Sequence, residues 1–355
     1  MYIKQNKSNL INLGTDIVKD NENAIIVEQK EPETFQGNDR PIAVMIDNSK
    51  DAMPHAGLQK AYIIYEMIAE GGESRLMALF KGQSIEKIGP VRSSRHYFLD
   101  YAMENDAIYV HYGWSPQAQS DISSFEINNI NGVTNDSNYF WRVNDKKAPH
   151  NAVISTKNIL KAAEDKKYRT TSNISSILKY SVDEIELESM YTNKENVENL
   201  NDEESNKLAE NETEKNVIDA KEITIPFSTF NNAKWKYDEE SKRYERFSKG
   251  IQEVDWDTKE AYTAKNIIIE FIKNETLNDG EGKDRQTMST IGTKDGYYIT
   301  NGKAIKITCE KTTRRGKTVY KDLNGNEMNV NDGNTFIEIC PIDAKVKIQS
   351  FDEEN

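Results

Sequence analysis

The segment GPVRSSRHYF, residues 89–98, holds the side chains best suited to chemistry. Gly89 and Pro90 shape a tight turn. Arg92 and Arg95 bracket two serines where a helix is predicted to begin, with Ser93 or Ser94 as its cap. Free N–H groups and the positive end of the dipole at a helix start favour an anion. Two guanidiniums beside them add forked donors suited to phosphate or carboxylate. The competing role is structural: pairing with Glu66, Glu70 or Glu73 would fix the packing of neighbouring elements, the ordinary fate of a partly buried arginine. The residues leave both open.

Two histidine groups extend the candidate site. His111-Tyr112-Gly113 closes a predicted strand, and Ala148-Pro149-His150-Asn151 precedes a predicted helix. Strand ends that hand over to helices are where α/β sheets collect ligands. An imidazole there can bind a ligand or relay a proton, although a lone histidine serves equally as a satisfied hydrogen-bonding residue. His55 and His96 stand in weaker contexts. The predicted anion site therefore comprises Arg75, Arg92, Arg95, His111, His150 and Asn151, with Asp47, Glu66 and Glu70 as supporting acids. Arg92 and Arg95 are expected at the mouth of a cleft near His111 and His150. No H-E-x-x-H, G-x-S-x-G or G-x-x-x-x-G-K-[ST] occurs, so zinc-protease, hydrolase and P-loop chemistry is not indicated. Neither a metal nor a cofactor is expected.

These residues must be positioned by the elements around them. Residues 1–38 read as a flexible lead-in or tether. Residues 41–46 (PIAVMI) read as a buried strand, 57–70 as a helix closed by Gly71-Gly72, and 75–80 and 86–91 as strands. A helix to about residue 104, a strand at 107–112, and helices opened by Ser115-Pro116 and Ser155 complete an α/β domain with a mixed sheet, residues 39–182. Residues 183–222 are an acidic linker or insertion. Residues 223–348 read as a β-rich domain, with a hairpin around DEESK (238–242) and strands near 266–272, 297–299, 305–307 and 336–339. The fold class is thus α+β or α/β.

At 355 residues the chain can bury two cores. Its net charge of −13 excludes a nucleic-acid-coating surface. No run of eighteen apolar residues stands in it, and no charged-then-apolar leader with a cleavage site. It reads as cytosolic, or as an exported chain without its signal. Cys309 and Cys340 have no C-x-x-C spacing and are expected to be free buried thiols; an exported protein would favour the alternative, a disulfide.

The order and spacing of RPIAVMIDN (40–48), PHAGL (54–58), YEMIAEGGESR (65–75), KIGPVRSSRHYFLD (87–100), AIYVHYG (107–113) and APHN (148–151) resemble the N-terminal domain of YerB-type lipoproteins. WKYD (235–238), residues 244–250, Ala264-Lys265-Asn266, residues 299–306 and NGNEMNVNDGNTFIEICP (324–341) resemble that family's C-terminal domain. Tyr62 stands where relatives usually carry Asp, and Cys309 and Phe336 where they usually carry Trp. The resemblance implies a signal peptide ending at a lipidated Cys, a tether, and residence outside the membrane of a Gram-positive bacterium. The arginine-bearing face, with no nucleophile–base pair at motif spacing, favours a binding or scaffold role, toward an anionic envelope glycopolymer, a lipid-linked phosphate or an envelope protein, with no nucleic acid. The alternative is an envelope phosphotransferase or hydrolase acting on a lipid-linked or glycan phosphate. The arrangement of strands and arginines is similar in layout to the LytR–CpsA–Psr phosphotransferases, without their motif.

Overall fold

The computed structural model describes residues 31–191 and 217–350. Its centre is an eleven-stranded sheet. The first half supplies β1 (Ile42–Asp47), β2 (Ile63–Ile68), β3 (Ser74–Phe80), β4 (Ile108–His111) and β5 (Asn129–Asn131), in spatial order β2-β3-β1-β4-β5. β1, β4 and β5 are parallel, whereas β3 is antiparallel to both β1 and β2. Helices α1 (His96–Glu104), α2 (Pro116–Ser124) and α3 (Thr156–Asp165) accompany these strands.

The sheet continues without a break into the second half. Strand Thr335–Pro341 lies between β2 and Asn266–Ile272, parallel to both. Gly292–Thr300, Lys303–Lys311 and Val319–Asp322 follow toward the far edge, antiparallel. The segments 39–182 and 223–348 thus share one sheet, and Pro32 onward forms one compact unit. A second, six-stranded sheet contains the predicted hairpin, Asn232–Asp238 with Arg243–Ser248. The architecture is α+β, a mixed sheet in the first half and a β-rich second half.

Several local expectations change. The helix expected over 57–70 is instead a 3-10 turn at Leu58–Lys60 followed by β2. All six β2 residues are buried, because β3 and Thr335–Pro341 flank the strand on both sides. A central strand of this kind carries no alternation, so its apolar run is indistinguishable from a helical face. The stretch 86–91 makes single bridges, Ala56↔Gly89, Ile88↔Ile154 and Ile46↔Val91, rather than a strand. α1 is capped by Arg95, while Ser94 is buried and accepts a hydrogen bond from Tyr109 Oη at 2.9 Å. Residues 31–38 are partly anchored: the Phe35 ring meets Tyr62 edge-on at 5.3 Å, and Thr34 N–H donates to Asp332 at 3.0 Å. Both ends of 183–222 carry structure, a helix at Leu187–Tyr191 and strands at Val217–Asp219 and Glu222–Pro226. Residues 1–30 and 192–216 lie outside the described residues.

The caps at Ser115 and Ser155 form as predicted, each accepting from the N–H three residues on, at 3.2 Å. Ser155→Ala is expected to cost about 1 kcal/mol of stability, a typical N-cap loss, measured by urea unfolding. Cys309 and Cys340 are free and buried. Their strands are separated by two others, so about three strand spacings of about 4.8 Å lie between them, well beyond disulfide reach. Burial pushes both thiols up.

Two buried ion networks join the halves. Arg246, fully buried, donates to Glu253 at 3.1 Å, to Glu338 at 2.8 Å and to Glu66. Burial and the neighbouring Glu66 raise the Glu338 carboxyl well above its usual range, against the pull of Arg246. Burial also works against the Glu253 carboxylate, but Arg246 and His55 hold it down at about 2. Elsewhere Lys311 donates to Glu104 at 2.6 Å, both fully buried.

Candidate functional site

The carboxyl ends of the parallel strands β1, β4 and β5 fall at one sheet edge, at Asp47, His111 and Asn131. Ligands of α/β sheets gather at such an edge. Because β3 is antiparallel, Arg75 pairs directly across from Asp47. The arginine segment is laced into the same edge by backbone bonds: Asp47 N–H to Pro90 O, Arg92 N–H to Met45 O, Tyr112 N–H to Arg92 O, and Ser94 N–H to Gly113 O, each 2.9 Å. Gly113 adopts a left-handed φ of +86°, and a Cβ there would stand 3.0 Å from Ser93 Oγ. The close approach of these two loops therefore requires glycine.

The side chains form one charged cluster. Glu70 accepts from Arg95 Nε at 2.8 Å and from the terminal nitrogens of both Arg95 and Arg75. Arg95 also donates to Ser94 O, and Arg75 to Ser93 O, each 2.6 Å. Both arginines are buried and committed to these acceptors. Arg92 differs: its side chain is 26% exposed and Nε stands 3.3 Å from Asp47 Oδ2, while its two terminal nitrogens meet no acceptor among the described residues. The same Asp47 oxygen accepts from His150 Nδ1 at 2.7 Å. Ser49 Oγ lies 3.0 Å from that nitrogen, and Ser49 N–H donates to Asp47 Oδ1 at 3.1 Å. His150 Nε2 has no hydrogen-bond partner among the described residues.

Electrostatics follow the crowding. Burial raises the Asp47 and Glu70 carboxyls, but the adjacent guanidiniums win and both lie below their usual range. Burial and then the neighbouring Arg95 depress Arg75 to about 10, despite Glu70 and Asp47. Three guanidiniums thus face two carboxylates.

Other predicted residues fall elsewhere. His111 is buried, with Nδ1 at 2.8 Å from Gly113 O and Nε2 at 3.1 Å from Asn129 Oδ1, so it offers no open nitrogen. Burial lowers it to about 4 despite those contacts, and a neutral ring has a single N–H that can be donated to only one of the two oxygens. Glu66 belongs to the Arg246 network, and Glu73 pairs with Lys249. Asn151 borders the cluster through Arg142, which donates to its Oδ1 at 2.5 Å and stacks over Tyr112.

His150 also lines a cavity of about 600 Å³ with Asp51, Met53, Pro54, Asp145, Lys146, Lys147, Ala148 and Trp256. Lys87 and Lys146 each lie 4.2 Å from the Trp256 ring centroid, and Lys259 donates to Trp256 O at 2.6 Å. Burial, outweighing Asp145 and Asp47, lowers Lys146 to about 8, with Lys87 and Lys259 adding to the effect. Sequence reasoning missed Lys146 and Trp256. They are 110 positions apart in the chain and no motif links them. Among the described residues no group of three or more His, Cys, Asp or Glu is placed to hold a metal ion.

Residues 28–169 match the model for the Protein of unknown function (DUF3048) N-terminal domain, and residues 223–337 match the DUF3048 C-terminal domain. The chain belongs to this family. Its relatives include "Putative lipoprotein YerB" of Bacillus subtilis (strain 168), 29% identical over 313 residues, covering 85% of this chain and 81% of the relative. The crystal structure of the YerB protein from Bacillus subtilis matches with a TM-score of 0.71 at 27% identity, covering 87% of this chain and 94% of that one. The DUF3048 family carries no assigned activity in its description. No helix among the described residues is long and apolar enough to cross a membrane.

Proposed function

We propose that this DUF3048 protein is an extracytoplasmic, membrane-anchored lipoprotein that binds an anionic group at the β1–β4–β5 edge. The name of its Bacillus subtilis relative supports the lipoprotein part. The ligand would be a phosphate or carboxylate of an envelope component; a protein partner would reach the same place with an acidic side chain. The observation that carries this reading is the uncommitted fork of Arg92, in a cluster one carboxylate short of neutral. Buried or half-buried guanidiniums in excess of their partners favour a further anion.

The test is calorimetric titration with inorganic phosphate. Arg92→Ala should weaken binding by about 1.5–3 kcal/mol, roughly 10- to 150-fold, as for a lost charge-assisted hydrogen bond. Arg95→Ala should instead lower the melting temperature first, since its donors are consumed by Glu70 and Ser94. Phosphate affinity that is unchanged in Arg92→Ala would remove the assignment.

One observation favours a second reading, an envelope phosphate-ester hydrolase or phosphotransferase. Asp47 orients His150 through Nδ1, which leaves Nε2 as the ring's remaining group beside the cavity, the arrangement of a carboxylate-oriented general base. Turnover of 4-nitrophenyl phosphate that disappears in His150→Asn would favour this reading; no turnover at any pH would leave binding alone.

A further inference from the structure

The anionic ligand's remaining chemistry can be read from the surface beside Arg92, given the anion site proposed above. Two cavities flank the Met53–Pro54 segment, and these two residues line both. The first, about 600 Å³, carries His150, Lys146 and Lys147; Asp51 and Asp145 share its wall. It is tied to Arg92 because His150 and Arg92 meet on one oxygen of Asp47. Lys87, paired with Asp257 at 2.6 Å, and Lys259 stand around Trp256 behind it.

The second cavity, about 260 Å³, has a different character. Met53, Pro54, Ile251 and Val254 supply an apolar wall; of its three acid–base groups, His55 and Glu253 are buried and Lys50 is exposed. Ile251, 50% exposed, forms part of this apolar wall. An apolar cavity next to one that carries His150, Lys146 and Lys147 matches a ligand with an anionic head and an apolar chain.

We infer that the site takes an amphiphile: an alkyl or lipid phosphate whose head sits by Arg92, His150 and Lys146 and whose chain crosses Met53–Pro54 to lie against Ile251 and Val254. The open guanidinium of Arg92, which shares Asp47 with His150, fixes the head on the side of the first cavity, whose own lining sets two lysines against two aspartates. A bare glycopolymer phosphate would leave the apolar cavity unused.

Octyl phosphate below its micellar concentration and inorganic phosphate serve as probes in parallel titrations of the whole chain. Octyl phosphate should bind at least tenfold more tightly, the gain expected from burying about two methylenes. Ile251→Asp should abolish that gain and leave inorganic phosphate binding unchanged. Its exposure argues against unfolding, which circular dichroism checks, and Met53→Ala should reduce the gain without adding charge. Arg92→Ala should weaken both probes. Equal affinity for the two probes, or a gain untouched by both Ile251→Asp and Met53→Ala, overturns the amphiphile while the phosphate site stands. If neither probe binds, the anion site itself falls, and the amphiphile with it.

Discussion

Arg246→Met is expected to destabilise the protein by about 3–5 kcal/mol, the range for removing one member of a fully buried ion network. The guanidinium is the cation shared by Glu66, Glu253 and Glu338, and all four side chains are buried. Methionine fills part of the volume but leaves carboxylates facing each other without a counter-charge. The loss should depend on pH, and its sign follows from Glu253. With Arg246 present, Glu253 titrates at about 2, below its unfolded value of about 4.3. It therefore adds stability above the unfolded value, lost as pH falls through about 2. Without Arg246, burial dominates and the Glu253 pKa rises, so the carboxylate costs stability at neutral pH and is relieved on protonation. The gap between wild type and variant should be widest near pH 7 and narrow toward pH 4. At roughly 2–4 °C per kcal/mol, the melting temperature should drop by about 10 °C at neutral pH. Urea unfolding across that pH range measures it, and a gap that is flat with pH would contradict the account. Glu338→Gln, which keeps the side-chain shape and removes the acid that burial and Glu66 push up, should by contrast be well tolerated.

Lys311→Met and Glu104→Gln should each cost about 3–5 kcal/mol, and together much less than their sum. Glu104 ends α1, in the first half; Lys311 ends a strand of the second. Glu104 Oε2 accepts from Lys311 at 2.6 Å, from Thr318 N–H at 2.9 Å and from Thr318 Oγ1 at 2.8 Å, while Oε1 accepts from Tyr65 Oη at 2.9 Å. Removing the lysine strands a buried carboxylate among neutral donors. Neutralising the glutamate leaves a buried ammonium without a counter-charge, held by neutral oxygens such as Gly316 O. With both charges gone, the introduced amide oxygen can still accept from Tyr65 or Thr318 in a neutral site. A double-mutant cycle in urea reads the coupling, and simple additivity would show that the pair does not act as a unit.

Both networks explain why the two halves were separable in the sequence and are joined in the structure. Composition changes sharply near residue 183, and each flank carries its own apolar runs, so a boundary was legible. The parallel pairing of β2 with Thr335–Pro341 was not, because it joins residues more than 270 positions apart. Nothing in a local window records such a partner. For the same reason β2 reads as a helix: a strand buried on both faces loses the alternation that would identify it.

The site shows the same division. Residue types and helix-start signals were enough to single out Arg92, Arg95, His150 and Asp47, and the serine caps of α2 and α3, because those cues act over a few residues. Which arginine remains open was decided by the fold. The turn after β2 and the start of β3 set Glu70 and Arg75 against Arg95, consuming its donors, while Asp47 engages only one nitrogen of Arg92. His111 has a residue type suited to chemistry and lies at the same sheet edge, yet burial and the two oxygens packed against its ring nitrogens close it. Lys146 and Trp256 had no sequence signal and meet beside His150 through tertiary contact alone. The sequence determined which charged groups could take part. The three-dimensional pairing of acids with arginines decided which donors were left over, since a guanidinium's availability depends on every acceptor within reach and those acceptors come from distant parts of the chain.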